Sequence, residues 1–395
     1  MKKTIRVYDD TTHLGEKYVE KLKALEVVRK TFDKIESISH KDFKRELGEL
    51  GDRQVKTRSD KKWDKDSMIL DETSIFVVDY DLLKEFKETF LTGENIAYLA
   101  RCFSTCGLII GLNQFIKLGD NRFDLTMKGH LESFCDLNIE NKQLDNLGLW
   151  GDEKKEFRPW YWPHLPDYLT CFEKKVNEII DDPNQTICEV LGIEEVVKAF
   201  PRSALEFLGR EPEKTTVKKF VTKSGNGLRA RDNKPTDAMV ARIAVARLSK
   251  WLERVVLPGQ DILVDAPHLV SRYPSLLTGD HSNIDNWNKT TSFDAYDRLG
   301  LNHELIEEFR FENIDWISRP VWFWGKVSNC QKIKEVKEPW EKERIEYVFC
   351  EDASSFYRRE DCKEFIIKSE SPYVRRFIRH FRNAGIQYEP RARLL

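Results

Sequence analysis

One short segment, residues 74–78, constrains the fold of this chain more than any other. Its five residues, Ser-Ile-Phe-Val-Val, are almost entirely apolar and favour a β-strand, and Asp79 and Asp81 follow at once. A strand that is apolar along its whole length suits a position covered on both faces, as in a parallel sheet flanked by helices. The segment therefore predicts an α/β fold with acidic groups at the end of a buried strand.

The sequence on either side alternates between predicted strands and helices. Short apolar runs predict further strands at residues 4–8, 32–38, 107–112 and 123–127. Apolar residues spaced three or four apart predict helices at 14–25 and 82–102. Residues 41–66 are dense in both charges and predict a weak helix at 43–50, followed by an exposed insertion. This alternation is typical of a parallel sheet with helices on its faces.

Polar side chains follow these predicted strands at the points where the strands end. They are Asp9 and Asp10 after the first strand, Asp79 after the central one, Asn113 after the next and Lys128 after the last. Ligands of such sheets bind outside the carboxyl ends of the strands. Carboxylate oxygens suit Mg²⁺, and a lysine offsets the charge of a phosphoryl group. A carboxylate in such a site can attack phosphorus and form an aspartyl phosphate.

Together these residues resemble the receiver domain of two-component response regulators. The resemblance covers roughly residues 1–135 and rests on residues 5–10, on 76–81 with Gly93 downstream, on 108–113 and on 123–128. It implies a flavodoxin-like, doubly wound, five-stranded parallel sheet. It also implies Asp79 as the phosphoacceptor and Asp9 and Asp10 as the Mg²⁺-binding pair. By the same match, Asp81 lends its backbone carbonyl to the metal, and Lys128 pairs with the phosphoryl group.

Two positions depart from the pattern of this family. Asn113 stands where the family has Ser or Thr, and Gly129 stands where a proline usually follows the lysine. This combination is similar to the divergent receivers of phage-defence two-component systems of the Detocs type. That resemblance implies a histidine kinase as the phosphate donor and a downstream effector protein as a further partner. It implies a signalling phosphoacceptor rather than a multiple-turnover enzyme.

The motif Asp79-Tyr80-Asp81 also fits the haloacid dehalogenase-like, Mg²⁺-dependent phosphatases. That family would use Asp79 as the nucleophile and Asp81 as the acid and base. It would need late acids as well, for which Asp280 and Asp285 are candidates. The alternative leaves the Asp9-Asp10 pair unexplained. A silent receiver used only for protein interaction and a nucleic-acid-binding regulator are two further alternatives.

The sequence changes in character near residue 141. We expect three regions. Residues 1–140 form a receiver-like domain, residues 141–200 form an aromatic, proline-rich connector that contains a helix, and residues 201–395 form a mainly α-helical domain of unknown role. A short strand is predicted at 259–264. Helices beyond the boundary are predicted at residues 168–180, 238–256, 304–309 and 372–382.

Composition narrows the partners and the compartment that we expect. The chain has 65 Lys and Arg residues against 67 Asp and Glu, so its net charge of -2 gives no reason to expect nucleic-acid binding. No stretch approaches the roughly 20 apolar residues that span a bilayer, and acids follow the start too soon for a signal peptide. We therefore expect a cytoplasmic protein without membrane contact. The eight cysteines include no Cys-x-x-Cys motif and are expected to be reduced.

Overall fold

A five-stranded parallel sheet forms the amino-terminal part of the chain. The computed structural model describes residues 3–58, 68–82, 91–113, 134–151, 164–223, 235–257, 262–291, 300–317, 319–333, 346–350, 355–366 and 375–379. The sheet comprises β1 (Thr4–Tyr8), β2 (Lys34–Ser37), β3 (Ile75–Asp79), β4 (Leu108–Asn113) and β5 (Leu137–Glu140). Its order is β2-β1-β3-β4-β5, and every pairing in it is parallel. This is the flavodoxin-like order, consistent with a doubly wound fold, and it confirms the predicted α/β class.

Helices cover this sheet and bury its central strand. They are α1 (Thr12–Ala24), α2 (Glu26–Thr31), α3 (His40–Arg58) and α4 (Gly93–Phe103). Helix α1 packs against β1 and β2, whereas α4 packs against β3 and β4 with α3 beside it. The four apolar residues of β3 from Ile75 to Val78 are fully buried. The apolar pattern at residues 74–78 therefore reports the central strand of a covered sheet, as predicted.

The helix predicted at residues 43–50 is confirmed and is longer than predicted, since α3 runs over His40–Arg58 and buries Phe43. The exposed insertion predicted after it is wrong at residues 51–58, which continue this helix. Arg53 is buried as well, because its guanidinium group donates hydrogen bonds of 3.1 and 2.8 Å to the two carboxylate oxygens of Asp71. High charge content misled the prediction here, since a paired charge can be buried in a helix face. Residues 59–66 lie outside the described residues.

The last strand of the sheet lies later in the chain than the sequence pattern predicts. Strand β5 pairs with β4 in a register that places Leu137 beside Ile110. The strand predicted at residues 123–127 and the lysine that should follow it, Lys128, lie outside the described residues. The position beside β4 is therefore occupied by β5.

Helices dominate the middle of the chain. They are α5 (Leu147–Trp150), α6 (Leu165–Asp181), α7 (Ile187–Leu191), α8 (Arg202–Leu205), α9 (Val217–Lys223) and α10 (Asp237–Trp251), with a π-helical turn at Leu252–Val256 after it. This confirms the helices predicted at residues 168–180 and 238–256. Helix α10 packs against α6 and α4, so one apolar core runs from the sheet into these helices. The division at residues 140 and 200 stays a prediction. In the described part of the chain, no helix is both long and apolar enough to cross a membrane.

Short helices and two small sheets form the described remainder. The helices are α11 (Ala266–Arg272), α12 (Ile284–Lys289) and α13 (Trp324–Ser328). Strands β6 (Leu263–Asp265) and β7 (Val321–Phe323) form an antiparallel pair. The second sheet comprises β8 (Tyr347–Cys350), β9 (Ser355–Arg358), β10 (Lys363–Ile366) and β11 (Arg375–Ile378), in the order β10-β11-β8-β9. The described carboxy-terminal part thus mixes strands with helices, whereas the sequence predicted a mainly helical domain.

Two of the predicted helices in this part differ from the structure. Residues 304–309 form two short 3₁₀ turns, His303–Leu305 and Glu307–Phe309, rather than one helix. The helix predicted at 372–382 is wrong where the structure describes it, since residues 375–378 form β11. This strand pairs with β10 and β8, which lie earlier in the chain. Pairing with neighbouring strands decides such a strand, and the spacing of its own apolar residues does not reveal that pairing.

Candidate metal centre

Asp9 and Asp10 lie directly after β1, at the carboxyl edge of the parallel sheet. Both residues are buried, with 5% and 6% of their surface exposed. Asp9 Oδ1 accepts a hydrogen bond of 2.7 Å from the backbone N–H of Thr11. Thr11 is itself the N-cap residue of α1, so the two acids precede the helix. Their placement is therefore set by the end of the strand rather than by capping of the helix.

Asp79 is the last residue of the neighbouring strand, β3, and lies beside this pair. The parallel register places Tyr8 next to Val78, so the residues that follow, Asp9 and Asp79, meet at the same edge. One carboxylate oxygen from each of Asp9, Asp10 and Asp79 lies within 4.8 Å of the others. Mg²⁺ prefers oxygen ligands and is commonly held by a few carboxylates together with water and phosphate oxygens. This acidic triad therefore has the donor set of a divalent-cation site.

The charge of the acidic triad is unfavourable without a cation. Burial, followed by the charges of Asp9, Asp10 and Asp81, raises the pKa of Asp79 to about 7. Burial also raises the pKa of Asp9, against the hydrogen bond from Thr11, which lowers it. Removing carboxylates from water and crowding like charges both disfavour the ionised form. A bound divalent cation would reverse this balance, which is why the triad fits a metal.

Two of the other predicted site residues, Asp81 and Asn113, lie at or near the same edge. Asp81 follows Asp79 by two residues and is exposed. Asn113 ends β4, the strand next to β3, and its predecessor Leu112 accepts a 2.8 Å hydrogen bond from the N–H of Tyr80. Lys128, the predicted partner of the phosphoryl group, lies outside the described residues.

A glycine allows α4 to begin against the backbone of Asp79. The N–H of Gly93 donates a 2.9 Å hydrogen bond to the carbonyl oxygen of Tyr80. A Cβ atom on Gly93 would lie only 2.5 Å from the carbonyl oxygen of Asp79, closer than real Cβ contacts come. The first turn of α4 is therefore fitted to the loop that carries the central carboxylate.

Two residues near the acidic triad, Tyr18 and His40, were not predicted as site residues from the sequence. Tyr18 on α1 is buried, and burial together with the charges of Asp9 and Asp79 raises its pKa to about 12, opposed by a hydrogen bond with Asn141. His40 begins α3, soon after β2, and its ring nitrogens lie 3.1 Å from the Tyr8 hydroxyl and 3.0 Å from that of Thr12. The position of His40 after a strand was the one available signal.

The late acids required by the phosphatase alternative are placed in a different part of the fold. Asp280 precedes α12 and accepts hydrogen bonds of 2.9 and 2.7 Å from Ser282. Asp285 lies in the first turn of α12. Among the described residues, the group of acids close enough to share a cation consists of Asp9, Asp10 and Asp79. The geometry thus joins the strand-end acids and not the late ones.

The comparisons with known proteins add no family to this geometry. No model of a protein family, no curated protein and no solved structure matches the chain. The conclusions on function therefore rest on the sheet order and on the acidic triad at its edge.

Proposed function

We propose that this chain is a signalling phosphoacceptor of the receiver type. In this proposal Asp79 receives the phosphoryl group, while Asp9, Asp10 and Asp79 hold Mg²⁺, with the backbone carbonyl of Asp81 as a further ligand. The observation that carries it is the acidic triad at the carboxyl edge of a sheet with the order β2-β1-β3-β4-β5. An open α/β sheet binds its ligands at this edge.

The proposed chemistry is nucleophilic attack by Asp79. A carboxylate oxygen of Asp79 attacks the phosphorus atom of a phosphohistidine, and an O–P bond forms as the P–N bond breaks. The imidazole leaves with the electron pair of the broken bond. Asp79 must be ionised to attack, although its pKa is raised to about 7. Bound Mg²⁺ supplies the positive charge that favours this carboxylate and balances the phosphoryl oxygens.

A cation from the chain itself would complete the site. The resemblance gives this role to Lys128, and Asn113 at the end of β4 would donate a hydrogen bond to a phosphoryl oxygen. Lys142 is a second candidate, because it follows β5, the observed last strand of the sheet, and is exposed. The Coulomb attraction between two unit charges about 4 Å apart is about 4 kcal/mol at an effective dielectric near 20, so either lysine would offset part of the phosphoryl charge. Replacing each lysine by Ala separately tells the two candidates apart.

A histidine kinase is the phosphate donor in this proposal, and a downstream effector protein reads the signal. Access to the site supports a protein donor, since Tyr80 directly after Asp79 is 40% exposed and Asp81 is exposed too. The place of this signal in antiviral defence rests on the resemblance to receivers of the Detocs type.

Direct phosphorylation tests the proposal. The purified chain is incubated with Mg²⁺ and acetyl phosphate, and the adduct is followed by intact mass and by borohydride trapping. We expect one phosphate on the parent chain, mapped to Asp79, and none on Asp79→Ala. An Asp52→Ala variant, changed at an exposed acid of α3, is the matched control and should be labelled like the parent. Unchanged labelling of Asp79→Ala would contradict the proposal.

A second variant separates the acceptor from a phosphatase. Asp81→Asn removes the side chain that a haloacid dehalogenase-like enzyme would need as its acid and base, but it leaves the backbone carbonyl in place. For a phosphoacceptor we expect a single, persistent phosphate on both the parent and this variant. Continuous hydrolysis of acetyl phosphate that Asp81→Asn abolishes would instead favour the phosphatase.

A further inference from the structure

The two faces of the carboxy-terminal sheet are covered differently. Alternate residues of β8 and β9, among them Tyr347 and Phe356, face a large apolar cluster that includes Trp287. The opposite face carries a separate small cluster of Val348, Cys350 and Phe377, packed against Tyr357 and Cys362. Two of the eight cysteines of the chain thus lie on this second face.

These two cysteines are in contact. The Sγ atoms of Cys350 and Cys362 lie 3.2 Å apart, and Cys362 Sγ also lies 3.2 Å from the carbonyl oxygen of Arg358. The contact is tertiary, because Cys350 ends β8 and Cys362 follows the turn Arg359–Asp361 that leads from β9 to β10. A disulfide bond is about 2.05 Å long, so the sulfur atoms need to approach by only about 1 Å to bond.

The two thiols differ in their access to solvent. Cys350 is fully buried, whereas Cys362 is partly exposed. Cys106 and Cys188 are buried, and their Sγ atoms lie near backbone carbonyl oxygens, as that of Cys362 does, but Cys362 also contacts the thiol of Cys350. A partly exposed thiol against a buried one is the arrangement in which an oxidised cysteine is resolved by its neighbour.

We propose that Cys350 and Cys362 form a redox-modified pair that hydrogen peroxide converts into an intramolecular disulfide. The Cys362 thiolate attacks one peroxide oxygen, the O–O bond breaks, and a sulfenic acid and hydroxide form. The Cys350 sulfur then attacks the Cys362 sulfur, the S–O bond breaks, and the sulfenic hydroxyl group leaves as water with the proton of the Cys350 thiol. The two thiols lose two electrons and two protons, and the peroxide ends as two molecules of water.

The disulfide would join β8 to the start of β10 and enclose β9. Its two cysteines are 12 positions apart in the chain, and the enclosed segment contains Arg358 and Arg359. A cross-link that closes a loop restricts the unfolded chain. Oxidation therefore fixes the connection between the strands of this sheet without changing their order.

Peptide mapping of the full chain tests the proposal. The chain is fully reduced, freed of reductant, treated with hydrogen peroxide in stepwise excess, alkylated and digested without reduction. We expect one cross-linked peptide that contains Cys350 and Cys362, a mass loss of two hydrogen atoms, and reversal by dithiothreitol. Alkylation of both thiols after peroxide treatment would overturn the proposal, as would disulfides of Cys350 or Cys362 with other cysteines.

Variants assign the order of the two steps. In Cys350→Ser we expect a sulfenic acid that persists on Cys362 and is captured by dimedone. In Cys362→Ser we expect Cys350 to stay reduced at the same dose. Cys330→Ser, which removes a partly buried thiol elsewhere, is the matched control and should form the disulfide like the parent. Dimedone capture at Cys350 in Cys362→Ser would contradict the order of steps.

Limited proteolysis gives an independent readout on the unaltered chain. Trypsin cleaves after Arg358 and Arg359, which lie between the two cysteines. After oxidation, the fragments of a chain cleaved only at these sites should remain joined on a non-reducing gel and separate when reductant is added. Fragments that separate without reductant would count against the disulfide.

Discussion

At the scale of single residues, burial and mutual repulsion disfavour the charged form of the acidic triad, and a bound cation would offset both. Asp79 has a pKa of about 7 in the folded chain against an ordinary value of 3.8, mainly because of burial and then because of Asp9 and Asp10. The folded chain therefore holds this proton more tightly than the unfolded chain. Stability is lost as the pH rises from about 4 to 7, and the loss is complete above pH 7.

Replacing Asp79 by Asn should stabilise the metal-free chain at pH 8. One unit of pKa difference corresponds to about 1.4 kcal/mol. With allowance for partial exposure, we expect the free energy of unfolding to rise by roughly 2 kcal/mol at pH 8 and by almost nothing at pH 4. Urea denaturation at the two pH values, with EDTA present, measures this difference. Asp52→Asn on the exposed face of α3 should show no such pH dependence, and an equal gain at both pH values would exclude the charge explanation.

His40 should position the loop that carries Asp9 and Asp10. Its two ring nitrogens contact hydroxyl groups on either side of that loop, those of Tyr8 and Thr12. Groups that orient metal ligands typically change metal affinity 10- to 100-fold when they are removed. We expect His40→Ala to weaken Mn²⁺ or Mg²⁺ binding about tenfold, as measured by calorimetry.

The matched control for His40 is His13→Ala. His13 and His40 both lower the pKa of Asp9 through their charge, but His13 is exposed on the first turn of α1. Loss of affinity in His40→Ala with little loss in His13→Ala would identify the hydrogen bonds as the cause. Equal losses in both variants would point to charge alone.

At the scale of elements, the first turn of α4 should tolerate a larger side chain poorly. Gly93→Ala places a Cβ atom against the carbonyl oxygen of Asp79, which must then shift. Overpacking of this kind typically costs about 1–3 kcal/mol. We expect that loss in the free energy of unfolding, together with slower labelling by acetyl phosphate.

The control for Gly93 is a glycine in open space on another helix. A Cβ atom on Gly51 of α3 would meet nothing within 4 Å. Because Ala favours a helix over Gly by up to about 1 kcal/mol, Gly51→Ala should stabilise the chain slightly and leave labelling unchanged. If Gly93→Ala were as stable and as readily labelled as Gly51→Ala, the backbone around Asp79 would have to accommodate the added Cβ atom without cost.

Strands that are buried along their whole length were predictable from sequence, and strands that depend on pairing with other segments were not. Strands β1 and β3 agree closely with residues 4–8 and 74–78, because both are covered on both faces, although β1 includes Arg6. The edge strand β5 and the strand β11 depend on pairing with other segments, which local spacing does not show. The acids at the ends of β1 and β3 were therefore predictable, whereas the contact of His40 with Tyr8 required the fold.

At the scale of the whole molecule, α10 connects the sheet to the helices that follow it. Arg242 on α10 donates hydrogen bonds of 3.1 and 2.9 Å to the carboxylate of Glu173 on α6. It also donates one of 3.1 Å to the carbonyl oxygen of Cys106, just before β4. One side chain thus joins α10 to α6 and to the segment just before β4, and its partners are far apart in sequence, which is why no local pattern predicted it.

The continuous core predicts that the sheet and these helices unfold together. Removing Arg242 leaves the carbonyl oxygen of Cys106 with one donor fewer and breaks a two-bond ion pair, so we expect Arg242→Ala to lower the free energy of unfolding by about 1–3 kcal/mol. Urea denaturation followed by both far-ultraviolet circular dichroism and tryptophan fluorescence should still give one shared transition.

The surface pair of Lys218 and Asp237 provides the control for this last prediction. Its charged groups are 3.5 Å apart, and both side chains are about half exposed. Exposed pairs of this kind contribute about 0–1 kcal/mol, so Lys218→Ala should change stability little. If the two probes separate in Arg242→Ala but not in Lys218→Ala, Arg242 is what couples the sheet to α10. If they separate already in the parent chain, the apolar core does not make the two parts one cooperative unit.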